Sequence, residues 1–304
     1  MPRMAGVRPR FGVMFSQAPP YETLAERWRH AESLGFDSIR VADHLTQFGT
    51  SIAFEAWSLL GALAVETRRV RIGALVSPVA FRHPVLTAMS AITIDHLSQG
   101  RLELGIGAGG GDQDAAALGH GPWSGGERLD RLAEQLTVLD ALLRDGTVAQ
   151  AGHHYQASAT LERPVQRPRP PFVIAAQTPG ALRLVARYGD TWSTLGGQPV
   201  WGSDRLTLDE AVAETARQAA RLDEACAALG RDPTTIRRSL LAYKAAPLAS
   251  VGAFEEYVGR YREVGIDEFV FSVASRADPE VVSARRAMLE RIASEVLPRL
   301  RDGA

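Results

Sequence analysis

Apolar and polar positions along the chain follow two periods in turn. Short apolar runs between turn residues predict buried strands, and apolar residues at helical spacing predict amphipathic helices. The predicted strands are Phe11–Phe15, Ser38–Ala42, Val70–Val76, Leu102–Ile106, Phe172–Ala176, Thr191–Leu195, Ile236–Tyr243 and Glu268–Val273. A helix is predicted after each strand, at Tyr21–Leu34, Phe54–Glu66, Pro84–Leu97, Glu127–Arg144, Ala181–Tyr188, Leu208–Leu229, Phe254–Val264 and Pro279–Leu300.

Eight strand–helix pairs in 304 residues match the length and order of a parallel barrel. A doubly wound sheet would usually have fewer strands. The alternation is interrupted at Gly146–Pro164, where short polar runs with Gly152 and Tyr155 predict a hairpin. We therefore predict an α/β fold: a single (β/α)8 TIM barrel that forms one domain over residues 1–304, with a small hairpin-like insertion between strands 4 and 5.

Composition excludes several classes of partner. The hydrophobic content of 45% is enough for one large core, and the net charge of −1 indicates neither a nucleic-acid nor a membrane partner. Cys226 is the only cysteine, which excludes a disulfide framework and a thiolate metal cluster. The start of the chain lacks the apolar segment of a secretory signal, and no stretch approaches a membrane span. We expect a cytoplasmic protein.

Two polar residues follow the second predicted strand directly. In a barrel of this class the reacting groups lie at the carboxyl ends of the strands. The imidazole of His44 could act as a general base there, and the carboxylate of Asp43 could anchor that ring or contact a cofactor. The alternative is that Asp43 caps a turn and His44 is solvated. Phe48 could form an aromatic wall beside them or belong to the core, and Gln17 stands at the end of the first strand.

A glycine-rich run follows the fourth predicted strand. Gly107–Gly111 lacks Cβ atoms, which gives room to a ring or a phosphate, and Gly107 and Gly109 are candidate cofactor contacts. Its spacing does not match the dinucleotide-binding fingerprint, and no helix pattern follows it directly. A flexible turn is the alternative. Asp112 ends the run as either a proton donor or a solvated loop carboxylate.

The segment after the fifth predicted strand has the pattern of a capped helix start. Thr178 is a favoured N-cap and Pro179 a favoured first helical residue. Free amide groups at such a helix start can bind phosphate, and small Ala175 and Ala176 before Gln177 favour this interpretation over an ordinary cap. We expect no metal site, because the first strand lacks the paired histidines that metal-dependent barrels often carry at its end.

Segments spread over nearly the whole chain resemble the bacterial-luciferase-like superfamily, and most closely its oxidoreductases that use the deazaflavin coenzyme F420. The segments that carry this resemblance are Asp37–His44, Ser77–Pro84, Asp95–Arg101, Leu104–Gly109, Ala181–Trp192 and Tyr257–Phe269. The resemblance implies a barrel that holds a flavin-type ring across the strand ends. It also implies a non-prolyl cis peptide near Ala74-Leu75, where these two residues would lie behind the ring.

The resemblance assigns roles to residues that match the family pattern. Some F420-dependent alcohol oxidisers use a histidine that matches His44 as base, next to an aspartate that matches Asp43. Their aromatic residue four positions later matches Phe48, their loop acid matches Asp112, and their phosphate loop matches Ala175–Pro179. One departure is that many relatives have Trp-Asn-Glu after Gly-Ala-Gly, where this chain has Gly-Gly-Asp.

These features predict an F420-dependent oxidoreductase that transfers a hydride between the deazaflavin and a small organic substrate. Gln17 and Phe48 would line the substrate pocket. One alternative is an FMN-dependent luciferase-like monooxygenase that uses O₂ and reduced flavin from a partner reductase. A second alternative, of a different class, is a barrel that binds flavin or a metabolite without catalysis.

The resemblance also implies partners. Relatives usually pair through the helices that follow the early strands, and we expect a homodimer. Trp57, Leu60 and Leu63 could contribute apolar contacts to that interface, or they could lie in the core. The remaining expected partners are a small-molecule substrate and a flavin or F420 reductase that supplies reduced cofactor.

Overall fold

The structure, a computed structural model, describes residues 7–17, 20–47, 50–51, 54–110, 112–199, 205–243, 246–273 and 279–302. Its strands are β1 Arg10–Phe15, β2 Ser38–Val41, β3 Thr46–Gln47, β4 Thr50–Ser51, β5 Arg71–Ala74, β6 Ser77–Pro78, β7 Leu104–Gly107, β8 Thr147–Ala151, β9 Gln156–Thr160, β10 Phe172–Ala175, β11 Thr191–Thr194, β12 Arg237–Ala242 and β13 Glu268–Val273. Its helices are α1 Tyr21–Ser33, α2 Ala56–Glu66, α3 Pro84–Leu97, α4 Asp112–Ala117, α5 Gly125–Asp145, α6 Pro179–Tyr188, α7 Leu208–Ala228, α8 Val251–Glu263, α9 Pro279–Arg291 and α10 Leu297–Asp302.

Local capping residues explain where several helices begin and end. The ring of His83 accepts a hydrogen bond from the amide of Val85, and Pro84 is the first residue of α3. Ser124 caps the start of α5, and Gly146 ends it with φ of 82°, a left-handed conformation that favours glycine. The predicted helices from Tyr21 to Val264 are confirmed, with ends that agree or differ by a few residues.

One compact unit is built from the chain up to Ser16, from Arg29–Arg40 and from the chain after Ala175. Its strands follow the order β2-β1-β13-β12-β11, and β1, β13, β12 and β11 pair in parallel. The ring of Phe11 stacks on that of Phe269 with centroids 5.9 Å apart, and both side chains are fully buried. Nearly every residue of β1, β12 and β13 is buried, so these strands form the core of the unit.

The second compact unit consists of Gln17–Trp28 and Val41–Ala175. Its strand β7 pairs in parallel with β10 on one side and with β6 on the other. Strand β5 is linked to this group by a parallel bridge between Ile72 and Leu102. Helix α3 packs against both α2 and α5. The side-chain contacts of Asp43 and His44 described below lie within this second unit.

The predicted hairpin is confirmed. Strands β8 and β9 are antiparallel and pack on α5. Glu134 of α5 accepts hydrogen bonds from the amides of His153, His154 and Tyr155 at 3.0, 2.9 and 3.0 Å. Partial burial raises the pKa of Glu134, but these three donors outweigh it, so the pKa lies below its usual value. The carboxylate of Glu134 therefore holds the hairpin turn onto the helix.

Several expectations need correction. Asp112 begins helix α4, so a helix does follow the glycine-rich run, and the pair β3–β4 was not predicted either. For Trp57, Leu60 and Leu63 the structure supports the core alternative, because all three are buried in α2. The last predicted helix is interrupted by a π-helical turn at Ile292–Val296.

The sequence also predicts the number of domains and the absence of membrane-spanning helices. One domain over residues 1–304 stays a prediction. In the part of the chain that the structure describes, no helix is both long and apolar enough to cross a membrane.

Candidate active site

Asp43 and His44 follow strand β2 immediately, and the structure separates their side chains into different environments. Asp43 is 2% exposed, whereas the side chain of His44 is 42% exposed. The two side chains form no hydrogen bond with one another among the contacts of the described residues. Asp43 therefore belongs to the buried frame of the site, and His44 presents its ring to the solvent side.

The carboxylate of Asp43 is held by two donors. Its Oδ2 accepts from the hydroxyl of Ser77 at 2.6 Å and from the guanidinium of Arg82 at 2.7 Å. The indole N–H of Trp57 in turn donates to the Ser77 hydroxyl at 2.9 Å. Burial raises the pKa of Asp43 above its usual value, and the Arg82 cation and the Ser77 hydroxyl offset only part of that rise. Asp43 thus does not anchor the ring of His44.

Arg82 links Asp43 to the start of helix α2. Its second amino group forms an ion pair with Glu55, and its guanidinium lies over the ring of Trp57, 5.6 Å from the centroid. Glu55 caps α2 by accepting from the amide of Ser58 at 2.7 Å. Burial raises the pKa of Glu55, but backbone donors and the Arg82 cation outweigh it and lower the pKa. The result is a fixed polar network behind the strand end.

His44 is held at two points. Its backbone N–H donates to the side-chain carbonyl of Gln17 at 3.1 Å, and the amide nitrogen of Gln17 donates to the carbonyl of Phe54 at 2.8 Å. Its ring Nδ1 lies 3.0 Å from Oδ2 of Asp114. Gln17, 2% exposed, therefore supports the backbone of His44, and its predicted contact with substrate stays a prediction.

Sequence reasoning missed Asp114 and named Asp112 as the acid of this loop. Both belong to the short helix α4, in which Asp114 and Ala115 are buried and Gln113 and Ala116 are exposed. The sequence Asp-Gln-Asp-Ala-Ala-Ala offers a second carboxylate two residues after Asp112, but so short a run does not establish which face of a helix it would occupy. The side chain of Asp112 lies outside the described part of the structure, as does the whole of Phe48.

A non-prolyl cis peptide joins Leu75 to Val76 directly after β5, one residue beyond the position that the resemblance implied. The amide of Leu75 donates to the carbonyl of Val41 at 3.0 Å, which joins this segment to the end of β2. Ala74 and Leu75 are 2% and 7% exposed. Their predicted contact with a cofactor ring stays a prediction.

The glycines of β7 have a packing role that is independent of any ligand. A Cβ at Gly105 would lie 1.9 Å from the carbonyl oxygen of Ala74, and one at Gly107 would lie 2.6 Å from Cγ2 of Val76. Real Cβ atoms do not approach so closely, so β7 can lie against the Ala74–Val76 segment only with glycine at these positions. Gly109 has φ of 74°, a turn conformation that also favours glycine.

The predicted helix cap after β10 is confirmed. The Thr178 hydroxyl accepts from the amide of Ala181 at 3.4 Å, and Pro179 is the first residue of α6. Thr178 is exposed, while Gln177 is half-buried. Ala176 is buried, and its carbonyl accepts from the indole of Trp192 at 2.8 Å. Phosphate binding by Ala175, Ala176, Gln177 and Thr178 stays a prediction.

Comparisons with known proteins agree with the resemblance. A model of the luciferase-like monooxygenase family matches residues 6–247. The F420-dependent glucose-6-phosphate dehydrogenase of Beutenbergia cavernae is 32% identical over 320 aligned positions, which cover 89% of this chain and 91% of the relative.

Two solved structures show the fold. An F420-dependent secondary alcohol dehydrogenase in complex with an F420–acetone adduct matches with a TM-score of 0.75 and 19% identity, over 97% of this chain and 100% of the other. The oxygenating constituent of 3,6-diketocamphane monooxygenase from Pseudomonas putida, in complex with FMN, matches with a TM-score of 0.70 and 14% identity, over 96% and 99%. The prediction of an α/β fold of the TIM-barrel type is confirmed.

Proposed function

The chain belongs to the luciferase-like monooxygenase family, and we propose that it is an F420-dependent oxidoreductase that transfers a hydride between the deazaflavin and a small organic substrate. Members of this family are oxidoreductases and monooxygenases, and the chain is an enzyme, so the non-catalytic alternative is set aside. The observation that carries the proposal is His44 at the end of β2, with its ring 42% exposed and its Nδ1 bonded to Asp114.

The polar groups around Asp43 fit a cofactor ring with hydrogen-bonding edges. Only Oδ2 of Asp43 accepts hydrogen bonds from the described residues, which leaves Oδ1 open to an N–H or O–H of a ligand. We propose that Asp43, Ala74, Leu75, Gly107 and Gly109 hold the ring of the deazaflavin. The Arg82 network would keep Asp43 in one position while the ring binds.

The phosphates of the cofactor would be bound by the loop Ala175, Ala176, Gln177 and Thr178. The start of α6 supports this proposal, because the amino end of a helix carries a positive partial charge. When bound, F420 supplies the carbon that accepts or returns the hydride.

The residues of the protein would have to accept or donate the proton of the substrate hydroxyl. In the oxidising direction the ring of His44 would take the hydroxyl proton of an alcohol, and the bound cofactor would supply the hydride acceptor, so that the alcohol would become a carbonyl compound. A ring that is 42% exposed is accessible to a substrate hydroxyl. In the reducing direction the proton moves back from a donor, for which His44 and Asp112 are both proposed. Gln17 and Phe48 are proposed for the substrate pocket.

The substrate class follows from the relatives only as a proposal. One relative acts on glucose 6-phosphate, and a protein with the same fold is a secondary alcohol dehydrogenase. Both reactions oxidise a carbon that carries a hydroxyl group, which is the chemistry that a base at His44 would serve. We therefore propose sugar phosphates and secondary alcohols as the first substrates to test.

The FMN-dependent monooxygenase is the second candidate, because a protein with the same fold binds FMN. Titration of the purified protein with F420 and with FMN separates the two. We expect tight binding of F420, and deazaflavin reduction by an alcohol without O₂. Tight binding of FMN with rejection of F420, and O₂-dependent turnover with a reductase, would contradict the first proposal and support the second.

A homodimer and a reductase that supplies reduced cofactor complete the proposal. The surface that supports a dimer differs from the one expected. On helix α3, Leu86, Met89 and Leu97 are 57%, 48% and 46% exposed, and their spacing places them along one side of the helix. We propose that this apolar side, with Val65 of α2, contacts the second subunit.

A further inference from the structure

The ring of His44 has one partner among the described residues, and that partner comes from a distant part of the chain. Asp114 lies 70 positions later, on helix α4, with its Oδ2 3.0 Å from the Nδ1 atom of His44. We infer that Asp114 is the positioning residue of His44: its carboxylate keeps a proton on Nδ1 and leaves Nε2 as the nitrogen that takes a proton from substrate. The catalytic part of this inference rests on the proposed function.

The chemistry of the two groups determines the tautomer. An ionised carboxylate has lone pairs but no proton, so in a hydrogen bond to a neutral imidazole it must be the acceptor. The proton of the ring is then on Nδ1, and Nε2 keeps its lone pair. The side chain of Asp114 is 9% exposed, so competition from water is small. A hydrogen bond that involves an ionised group is shorter and stronger than a neutral one.

The two ends of this pair are fixed by separate elements. The backbone of His44 is tied to Gln17, which is itself tied to Phe54. Asp114 stands on a helical turn whose neighbour Ala115 is 9% exposed, so α4 lies with this face against the protein. The orientation of the ring is therefore set before any substrate arrives, which is the requirement for an efficient base.

Asp43, the nearer carboxylate in sequence, does not perform this task. Its Oδ2 accepts hydrogen bonds from Ser77 and Arg82 instead. The site thus contains two carboxylates with separate tasks. Asp43 belongs to a buried network that would contact the cofactor, and Asp114 orients the base.

Nitrogen NMR of cofactor-free protein, labelled at its histidine rings, tests the inference directly. The chain has seven histidines, and the ring signal of His44 is identified by its loss in His44→Gln. We expect the neutral ring of His44 to carry its proton on Nδ1 in the wild-type protein. Asp114→Ala should shift the proton toward Nε2, whereas Asp114→Glu should preserve part of the original pattern. Asp145→Ala removes an exposed carboxylate at the end of α5 and should change nothing.

The kinetic readout uses the same variants with F420. In Asp114→Ala we expect kcat to fall roughly tenfold or more, less than the loss on removing the base itself, with a smaller change in KM. Partial recovery in Asp114→Glu would separate a positional effect from a loss of folding. If Asp114→Ala does not fold, the wild-type spectrum alone is decisive.

A wild-type ring protonated on Nε2, or an Nδ1 proton that persists in Asp114→Ala, would overturn the inference whatever the enzyme's activity. The proposed function fails in a different way. If His44→Gln keeps normal turnover while the spectra show the expected tautomer, the hydrogen bond stands but His44 is not the base.

Discussion

The guanidinium of Arg82 lies 2.7 Å from Oδ2 of Asp43, a residue that is only 2% exposed. Burial of a carboxylate is unfavourable unless a partner compensates its charge. Arg82 is this partner, and it also reaches Glu55 at the cap of α2. Arg82 therefore joins the end of β2 to the start of α2, and it stabilises the buried carboxylate of the candidate active site.

Replacement of Arg82 by methionine should destabilise the protein by about 3 kcal/mol, because it leaves the charge of Asp43 buried without its partner. The loss should be partly reversed in the double variant Arg82→Met, Asp43→Asn. Denaturant unfolding at neutral pH measures both. An Arg82→Met variant as stable as the wild type would show that the pair is not needed to offset the burial of Asp43.

The loss of stability in Arg82→Met should depend on pH in a defined direction. The pKa of Asp43 is already raised by burial, and removal of the cation raises it further. A carboxyl pKa that is raised in the folded state means that the contribution of Asp43 to stability is most favourable at low pH. It becomes less favourable as pH rises through the raised pKa. The difference in stability between wild type and Arg82→Met should therefore shrink as the pH is lowered.

Replacement of His44 by glutamine should lower kcat with F420 by about 100-fold or more, the usual contribution of a general base. The affinity for F420, measured by titration of the purified variant, should change little, because other residues are proposed to hold the deazaflavin ring. His153→Gln removes an exposed histidine of the hairpin and should have normal kinetics. Wild-type turnover in His44→Gln would contradict the proposed role.

Replacement of Gly105 by alanine should prevent folding or destabilise the protein by about 3 kcal/mol or more. The new Cβ would lie 1.9 Å from the carbonyl oxygen of Ala74, and backbone cannot move aside cheaply. Gly252→Ala is the matched control, since a Cβ there meets nothing within 4 Å and α8 should gain helix propensity. Thermal unfolding compares the two, and equal melting temperatures would show that β7 can retreat from β5.

Replacement of Glu134 by glutamine should weaken the hairpin by about 1–2 kcal/mol at neutral pH, because a neutral acceptor replaces a charged one for three amides. The pKa of Glu134 is lowered in the folded state, so its contribution is present above the usual carboxyl pKa and is lost as pH falls through the lowered value. Hydrogen exchange of the three amides, compared between neutral and acidic pH, measures this. Exposed Glu162→Gln should leave their protection unchanged.

Replacement of Leu86 and Met89 by glutamate should convert the proposed dimer into a monomer, because charges would replace the exposed apolar side of α3. Light scattering after size-exclusion chromatography measures the mass. Leu229→Glu is the control, because it changes a side chain that is 55% exposed at the end of α7, away from the proposed interface residues in sequence. This variant should stay a dimer. A wild-type protein that is monomeric at all concentrations would contradict the dimer itself.

The periodic pattern of the chain predicts most of the elements because strand and helix each impose a local spacing on buried positions. The limits of α3 at Pro84–Leu97 and of β13 at Glu268–Val273 agree with the predicted ones. The short helix α4 was missed because its six residues span less than two turns, too few to establish a period. The sequence leaves Trp57 open between core and interface, since an apolar residue at helical spacing is typical of both.

The position of Asp43-His44 directly after a buried strand was enough to locate the candidate site, because the carboxyl ends of parallel strands face one side of such a fold. The identity of the partners was not available from the same pattern. Asp114 and His44 are 70 positions apart, and Gly107 is glycine because of the side chain of Val76 in the segment between β5 and β6. Short-range spacing therefore determines which elements form and where the reactive residues stand along them. Contacts between distant segments decide which carboxylate orients the histidine, because only packing brings those side chains together.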